Sequence, residues 1–242
     1  MTQRIAMWSG PRNISTAMMR SFENRADCAV SDEPFYAHYL AATGIEHPMR
    51  EAVIASQPTD WRDVVKAITG PAPGGAPVWY QKHMTHHMIA GVGREWFGAM
   101  RHAFLIRDPR AMAASYAAKR QGATAADLGA QLQAELYDEV TASTGSAPPV
   151  IDAADVLADP AGMLSLLCDA LSLPFDPAML AWPAGARDSD GVWGDHWYAS
   201  VRASTGFAAP QEREIRLSPG LEAVAEACMP FYARLHGKRL RR

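Results

Sequence analysis

The chain has 242 residues, three cysteines and a formal net charge of −3 at pH 7. This length is sufficient for one α/β domain with a sizeable core. The slightly negative charge argues against a nucleic-acid-binding protein, because such a protein needs a basic surface to neutralise phosphates. The cysteines lie far apart in apolar surroundings without metal-ligand spacing, which predicts reduced core residues.

No stretch of the sequence approaches the roughly 18 apolar residues of a membrane span. The first apolar run, residues 5–8, is also too short for the hydrophobic part of a signal peptide. We therefore expect a cytoplasmic protein with no membrane partner.

The sequence pattern predicts strands and helices that alternate along the chain. Strands are predicted at residues 5–8, 28–31, 78–82, 103–107 and 150–152. Helices are predicted at residues 15–25, 36–43, 51–68, 110–119, 123–143, 160–171 and 176–182, and in part at 88–100. Pro58 is expected to interrupt the helix at 51–68. Ser218 and Pro219 are expected to begin a last helix, as N-cap and first residue. Residues 70–77 and 185–206 are expected to be irregular. This alternation is typical of an α/β fold with a mainly parallel sheet covered on both faces, and we expect one domain over residues 1–242.

A short apolar strand, a Gly-Pro turn and a helix follow each other at the start of the chain. The turn contains Gly10 and Arg12, and the polar residues Asn13, Ser15 and Thr16 come next. The first amides of a helix lack internal partners and attract anions, and Arg12 adds a full positive charge. Because the GxxxxGK[ST] motif is missing, these residues leave two interpretations open: a phosphate site, or a helix capped by its own polar side chains.

Cationic residues follow three of the predicted strands where those strands end. They are Arg12, Lys82 and Arg107. In a parallel α/β sheet the carboxyl ends of the strands meet at one edge, and ligands bind there. Three cations at this edge predict a multiply charged anionic ligand.

Four segments distributed along the chain carry a family resemblance. They are GPRNIST at 10–16, SDEPF at 31–35, FLIRDPRAMAASY at 104–116 and the stretch from 150 to 183. Together they resemble the sulfotransferases that use 3′-phosphoadenosine 5′-phosphosulfate (PAPS). The cluster KHMTHH at 82–87 and the later pieces GVW, WY and STGF between 191 and 207 resemble small bacterial sulfotransferase-like proteins, which are similar to a domain of plant aminotransferase-like proteins.

The resemblance implies a fold, an activity and a cofactor. The fold is the three-layer α/β type of the P-loop-containing nucleotide hydrolases. The activity is transfer of a sulfuryl group from PAPS to a hydroxyl or amine of a small acceptor, which leaves 3′-phosphoadenosine 5′-phosphate (PAP). Nothing in the sequence specifies an oligomeric state.

The resemblance also implies which residues bind PAPS. The segment that is similar to the loop for the 5′-phosphosulfate contains Gly10, Arg12, Asn13, Ile14, Ser15 and Thr16. Arg107 at a strand end and Ser115 on the following helix are similar to the pair that holds the 3′-phosphate in the family. A late segment with Trp193, Trp197, Tyr198 and Arg202 is expected to cover the nucleotide, although aromatic residues there are also typical of local core.

Catalysis of sulfuryl transfer depends on positioning and on stabilisation of charge. Arg12 stands where the family usually has a lysine. An arginine stabilises charge on the leaving phosphate but does not readily donate a proton. Lys82, after the next predicted strand, is therefore the alternative proton donor.

The acceptor needs a base, and several groups are candidates. The family commonly has a histidine two residues after the lysine, where this chain has Met84. His83, His86 and His87 can each titrate near neutrality, and Glu33 is a rival carboxylate base. We expect His86 to be the base, and we expect only one of His86 and His87 to face the site if this segment is helical.

Two other functions remain open from the sequence. One is a P-loop kinase that uses ATP and Mg²⁺, although the motif for it is missing. The other is a non-catalytic nucleotide-binding or interaction protein on the same fold, because Arg12 and Met84 depart from the family pattern. No metal is expected, and a three-histidine metal site is a weaker alternative.

Overall fold

Five parallel strands form the central sheet of the computed structural model, which describes residues 2–117, 122–209 and 215–242. The strands are β1 Gln3–Ser9, β2 Cys28–Asp32, β3 Val78–Met84, β4 Arg101–Ile106 and β5 Val150–Asp152. Their order is β2-β3-β1-β4-β5, and each neighbouring pair is parallel. All five predicted strands are confirmed, with ends that differ by at most two residues.

Helices connect and cover these strands. They are α1 Ser15–Glu23, α2 Tyr36–Thr43, α3 Arg50–Ser56, α4 Trp61–Thr69, α5 Pro109–Ala117, α6 Ala125–Leu128, α7 Ala130–Thr144, α8 Ala153–Ala158, α9 Pro160–Ala170, α10 Gly194–Trp197, α11 Ala199–Arg202 and α12 Pro219–His236. Within the described ranges, none of these helices has the length and apolar character needed to cross a membrane.

The two faces of the sheet bury different helices because successive residues of a strand point to opposite sides. In β1, Ile5 and Met7 pack in a cluster with residues of α1, α8 and α9, whereas Ala6 and Trp8 pack in a cluster with residues of α4, α7 and α12. All four side chains are fully buried. Burial of each large one contributes about 1.5–3 kcal/mol. This packing confirms the predicted three-layer α/β architecture.

The prediction of one long helix at residues 123–143 is wrong, because the segment forms α6 and α7. Gly129 separates them with a φ of +69°, a left-handed conformation that favours glycine. A Cβ at Gly129 would lie 3.1 Å from Thr85 Oγ1. The break therefore lets the start of α7 pack closely on the residues that follow β3.

Other helix predictions hold in part. Residues 51–68 form two helices, α3 and α4, on either side of Pro58 as predicted, and Ser218 caps α12 by accepting from Leu221 N. Residues 88–100 and 176–182 contain only the 3₁₀ turns Glu95–Ala99 and Pro177–Leu180. The helix predicted at 15–25 ends at Glu23, and the stretch 185–206, predicted to be irregular, includes the short helices α10 and α11. Residues 118 and 119 of the helix predicted at 110–119 lie outside the described ranges.

The register of the sheet decides which residues meet at its carboxyl edge. Ser9 lies opposite Met84 of β3 and Leu105 of β4, and Asp32 of β2 lies opposite Lys82 of β3. The segments after β1, β3 and β4 therefore leave the sheet side by side, as the sequence predicts.

Candidate active site

A cavity of about 930 Å³ opens at the carboxyl edge of the sheet. Ten of the predicted site residues line it: Arg12, Asn13, Ile14, Ser15, Thr16, Glu33, Lys82, His86, Arg107 and Ser115. Gly10 lies behind the lining. A Cβ at Gly10 would lie 2.8 Å from the Leu128 carbonyl oxygen, so its small size allows the loop to pack against the end of α6.

Hydrogen bonds to β4 hold the loop between β1 and α1 in a strained conformation. Arg12 has a φ of +54°, which costs a non-glycine residue about 1–2 kcal/mol. Arg107 Nη1 donates to the Arg12 carbonyl at 2.6 Å, and Asn13 Nδ2 donates to the Leu105 carbonyl at 3.1 Å. The loop is therefore fixed to the end of the neighbouring strand.

The amino terminus of α1 faces the cavity without a capping side chain. Ile14 is the N-cap residue, and no side chain accepts from the first amides. Asn13 Oδ1 accepts instead from Ile14 N at 2.9 Å. The interpretation of a capped helix is therefore wrong. Ser15 and Thr16 line the cavity, so free amides and the positive end of the helix dipole are directed to it.

Two arginine side chains meet beside this helix terminus. Arg12 Nε donates to Ser115 Oγ at 3.2 Å, and Arg107 bonds to the Arg12 carbonyl. Within the described ranges, the side-chain contacts of the two guanidiniums are to Ser115 and to the Arg12 carbonyl, and neither has a carboxylate at ion-pair distance. Burial lowers the pKa of both groups, and the charge of Arg12 lowers that of Arg107 further. The pair leaves a positive charge that an anionic ligand would neutralise.

Lys82, the third predicted cation, is already neutralised by carboxylates. Its Nζ lies 2.9 Å from Asp32 Oδ1 and 2.7 Å from Glu33 Oε1, and the side chain is 2% exposed. Burial alone would lower the pKa of Lys82, but the charges of Asp32 and Glu33 raise it well above its usual value. The expectation of three cations around one anion is therefore wrong for Lys82, because the register places Asp32 beside it.

The same ion pairs hold the late segment against the sheet. Lys82 Nζ donates to Tyr198 Oη at 2.6 Å, and Tyr198 Oη donates to Asp32 Oδ2 at 2.7 Å. Trp193 Nε1 donates to the same hydroxyl at 2.9 Å. Glu33 has a φ of +41°, and burial raises the pKa of its carboxyl although the charge of Lys82 opposes this. Buried polar contacts thus connect the ends of β2 and β3 with residues 193–198.

The predicted aromatic residues of the late segment all line the cavity. Trp193 and Tyr198 are buried and also belong to a small core cluster, whereas Trp197 is only partly buried. Arg202 forms ion pairs with Asp190 and Asp195 and is not a lining residue. The carboxylates of Asp190 and Asp195 therefore already balance the charge of Arg202.

His83 is a core residue. It is 1% exposed, its Nε2 lies 3.1 Å from Gln81 Oε1, and its ring packs 4.7 Å from that of Trp8. Burial lowers the pKa of His83 to about 3. His83 is therefore excluded as the base.

His86 and His87 both border the cavity, so the expectation that only one could face it is wrong. They belong to a 3₁₀ turn, Thr85–His87, and their ring centroids lie 4.5 Å apart with the planes at 75°. His87 is 1% exposed and its ring lies between those of Tyr36 and Tyr39, at 4.7 and 5.0 Å. His86 is only half-buried, so its side chain is the more accessible of the two.

Enclosure by protein favours the neutral form of both imidazoles. Enclosure by protein lowers the pKa of His86 to about 4 and holds that of His87 well below its usual range. In the described chain, Nδ1 of His86 and both ring nitrogens of His87 have no hydrogen-bond partner. Glu33 Oε2 lies 3.9 Å from His87 Nε2. Burial of ring nitrogens without hydrogen-bond partners is costly, and this cost points to a ligand or water beside His86 and His87 in the cavity.

Sequence reasoning missed the residues around these histidines. Tyr36 and Tyr39 of α2 line the cavity, and the Tyr36 hydroxyl lies 2.6 Å from Nδ1 of His47, which lines it as well. The two tyrosines are three residues apart and so share one helix face, directly after the SDEPF segment. That spacing was the available signal.

The histidine cluster does not form a metal centre. Among the residues that the structure describes, no group of three or more His, Cys, Asp or Glu side chains could hold a metal ion. His83 lies in the core, so the three-histidine alternative lacks a converging set of ligands.

Comparison with known proteins shows the family of the chain. A family model described as a sulfotransferase domain matches residues 3–239, and the chain belongs to this family. Two proteins of Arabidopsis thaliana, branched-chain-amino-acid aminotransferase-like proteins 2 and 1, are 34% and 35% identical over 228 residues. Each match covers 94% of this chain and 40% of the relative. The chain thus spans about two fifths of the length of these curated relatives.

Solved structures confirm the fold. The sulfotransferase domain from the curacin biosynthetic pathway has a TM-score of 0.54 at 15% identity and covers 100% of this chain and 99% of its own. The sulfotransferase from Alicyclobacillus acidocaldarius has a TM-score of 0.55 at 12% identity, with 98% and 95% covered. At such identities the likeness concerns the fold, which is the P-loop-like α/β type that the sequence predicts.

Proposed function

We propose that this chain is a PAPS-dependent sulfotransferase that acts on a small acceptor. The observation that carries the proposal is the pair Arg12 and Arg107, two half-buried guanidiniums without carboxylate partners in the described chain, beside the uncapped amino terminus of α1. A nucleotide with phosphates at both ends of its ribose matches two cations at one helix terminus. Membership of the sulfotransferase family supports this proposal.

The residues present fit the two charged ends of PAPS. The loop with Asn13, Ser15 and Thr16 would hold the 5′-phosphosulfate, while Arg107 and Ser115 would hold the 3′-phosphate. When bound, PAPS supplies the sulfuryl group. Arg12 would stabilise the negative charge that grows on the 5′-phosphate, since a guanidinium remains charged throughout.

Lys82 has a different role in this proposal from that of Arg12. Its charge is balanced by Asp32 and Glu33, and its raised pKa makes it a poor proton donor at neutral pH. We infer that Lys82 holds Glu33 and the late segment in position. Proton donation by Lys82 is the alternative.

His86 is the base in this proposal. It borders the cavity, is more accessible than His87, and has a free Nδ1 and a neutral ring in the described chain. Glu33 is the rival, although one of its carboxylate oxygens is committed to Lys82. The non-catalytic alternative predicts that neither residue matters for any turnover.

Titration calorimetry with PAP, beside ATP–Mg²⁺ and 5′-AMP, tests the nucleotide. We expect PAP to bind at micromolar concentration, about −8 kcal/mol, and AMP to bind far more weakly because it lacks the 3′-phosphate. Arg107→Ala should weaken PAP binding at least tenfold, since loss of a charge-assisted bond costs about 1.5–3 kcal/mol.

Arg101→Ala is the matched control. Arg101 begins β4 at the opposite end of the same strand and is exposed, and its one side-chain hydrogen bond within the described ranges is to Ser172 Oγ at 3.3 Å. PAP affinity should not change in this variant. A preference for ATP–Mg²⁺ would favour the kinase, and absence of any nucleotide binding would overturn the proposed function.

A further inference from the structure

The carboxyl ends of β1 and β4 are connected by a side chain that does not line the cavity. Gln133 lies in the first turn of α7 and is 6% exposed. Its Nε2 donates to the Trp8 carbonyl at 3.2 Å and to the Leu105 carbonyl at 3.0 Å. One amide group therefore joins the two strands close to the point where both of them end.

Gln133 belongs to the buried face of α7. The other buried residues of this helix are Ala130, Ala134, Leu136, Tyr137 and Val140. An amide on such a face is costly unless it is hydrogen-bonded. The bonds to the two carbonyls meet this requirement, and they direct the amide towards the strand ends.

The bond from Gln133 to Leu105 continues into the loop between β1 and α1. The Leu105 carbonyl also accepts from Asn13 Nδ2 at 3.1 Å. Asn13 Oδ1 in turn accepts from Ile14 N at 2.9 Å, at the start of α1. Gln133 and Asn13 thus share one acceptor, so the position of that carbonyl affects the loop that begins α1.

The same two strand ends carry the arginine pair. Arg107 follows Leu105 by two residues, and its Nη1 donates to the Arg12 carbonyl at 2.6 Å. Arg12 has a φ of +54°, which a residue other than glycine keeps only when its surroundings hold it. The bond from Arg107 and the bond from Asn13 to Leu105 both span the gap between β1 and β4. They form together only if the two strand ends keep a fixed separation.

We infer that Gln133 is a positioning residue for the anion site, because it fixes the separation of the two strand ends that carry the loop and Arg107. This inference rests on the proposed function. Gln133 is not a lining residue of the cavity, so it acts through Leu105 and Asn13 and not by contact with the nucleotide. A site that is fixed before the ligand arrives binds more tightly, since binding does not have to order it.

The effect of Gln133 is directed to the 5′ end of the nucleotide. Arg107 and Ser115, the proposed partners of the 3′-phosphate, flank one continuous segment from the end of β4 into α5. The loop that would meet the 5′-phosphate depends instead on bonds across to β4. Loss of Gln133 should therefore weaken contacts with the 5′-phosphate more than contacts with the 3′-phosphate.

Gln133→Met tests this role, because methionine has a similar length and lacks both amide donors. PAP binding should weaken at least tenfold in calorimetry, which corresponds to about 1.4 kcal/mol. Adenosine 3′-monophosphate has no 5′-phosphate, and its affinity should fall less than threefold. The preference of the protein for PAP over this monophosphate should therefore decrease.

Gln81→Met is the matched control. Gln81 is fully buried in β3, does not line the cavity, and donates through Nε2 to the Ile68 carbonyl at 2.8 Å. Each variant loses a buried bond from a glutamine amide to a backbone carbonyl. Urea unfolding should show that both variants are less stable than the native protein, but only Gln133→Met should lose affinity for PAP.

Gln133→Glu separates positioning from a loss of stability. A carboxyl group donates a hydrogen bond only when it is protonated. The affinity for PAP, divided at each pH by that of the native protein, should be low at pH 9 and should recover at least fivefold as the pH falls to 5. A variant that is merely less stable would not recover in acid.

The results separate the positioning role from the proposed function. Unchanged PAP affinity in Gln133→Met, an equal loss in Gln81→Met, or an equal loss for adenosine 3′-monophosphate overturns the role of Gln133 alone. If Gln133→Met does not fold, the pH profile of Gln133→Glu decides, and a profile without recovery overturns the role. Absence of PAP binding by the native protein overturns the proposed function, and the role of Gln133 with it.

Discussion

The three cationic side chains at the carboxyl edge differ in the charged partners that surround them. Among the residues that the structure describes, Arg12 and Arg107 have no carboxylate at ion-pair distance, whereas Lys82 is enclosed by carboxylates. All three cations follow strands in the sequence, yet only the sheet register distinguishes them. At the residue scale, two substitutions test these assignments.

His86→Ala should lower the turnover rate at least 100-fold and leave the affinity for PAP unchanged, because general-base catalysis increases a reaction rate by about 10²–10⁴-fold. Conversion of PAPS to PAP and the affinity for PAP by calorimetry are measured on the same preparation. His236→Ala is the control, since His236 does not line the cavity. Loss of turnover in Glu33→Gln together with an active His86→Ala would make Glu33 the base instead.

Lys82→Met should destabilise the fold by about 3–5 kcal/mol, because it leaves Asp32 and Glu33 buried without their counter-ion. Urea unfolding at pH 7 measures the change. Lys66→Met, on the exposed face of α4, should change the free energy of unfolding by less than about 0.5 kcal/mol. Equal effects of the two substitutions would refute the positioning role of Lys82.

At the scale of elements, breaks in helices bring segments to the cavity. The stretch from 125 to 144 is divided into α6 and α7 at Gly129. The left-handed glycine divides it and lets the backbone approach Thr85, which begins the turn that carries both cavity histidines. This contact links helix geometry to the proposed base.

Gly129→Ala should therefore lower the free energy of unfolding more than the same substitution at a glycine that has the same backbone conformation but no atoms close to an added Cβ. Gly145 ends α7 with a φ of +68° and would have nothing within 4 Å of an added Cβ. We expect about 1 kcal/mol for Gly145→Ala and about 1–3 kcal/mol more for Gly129→Ala from overpacking. Urea unfolding compares the two, and identical values would show that the Thr85 contact is unimportant.

For the whole molecule, buried neutral histidines make stability depend on pH. His102 accepts from Trp8 Nε1 at 3.0 Å through Nδ1, and its Nε2 lies 2.9 Å from the Phe97 carbonyl. Burial lowers the pKa of His102 to about 4 and that of His83 to about 3. Protonation of His102 at Nδ1 would break the bond to Trp8 in the centre of one sheet face.

The unfolded chain binds more protons than the folded chain between pH 6.5 and 4, because a histidine in the unfolded chain titrates near 6.5. Stability is therefore greatest above pH 6.5 and falls as pH decreases, by about 1.4 kcal/mol per pH unit for each histidine whose pKa is lowered, which includes His86 and His87 as well. Urea unfolding from pH 7 to 4 measures the slope. His102→Gln should reduce the slope of the free energy of unfolding by about 1.4 kcal/mol per pH unit, whereas substitution of the exposed His196 by Gln should not. Equal slopes in the unmodified protein and both variants would show that His102 does not cause the pH dependence.

The sequence alone determined the layers of the fold and the ends of its strands. Periodicity of apolar residues and Gly/Pro punctuation are local properties, so the five strands, the division of residues 51–68 at Pro58 and the start of α12 could be predicted from neighbours in the chain. The resemblance in residues 10–16 and 104–116 likewise indicated Arg12, Arg107 and Ser115 as candidate anion-binding residues, and all three line one cavity of the structure.

Only the tertiary structure decided what surrounds each side chain. The pairing of Lys82 with Asp32 follows from strand register, which couples residues 50 positions apart. The burial of His83, the accessibility of His86 and the contribution of Tyr36 and Tyr39 depend on how α2 and the turn after β3 pack together. Burial and counter-ions set charge and pKa through distances in space, and those distances are not a property of local sequence.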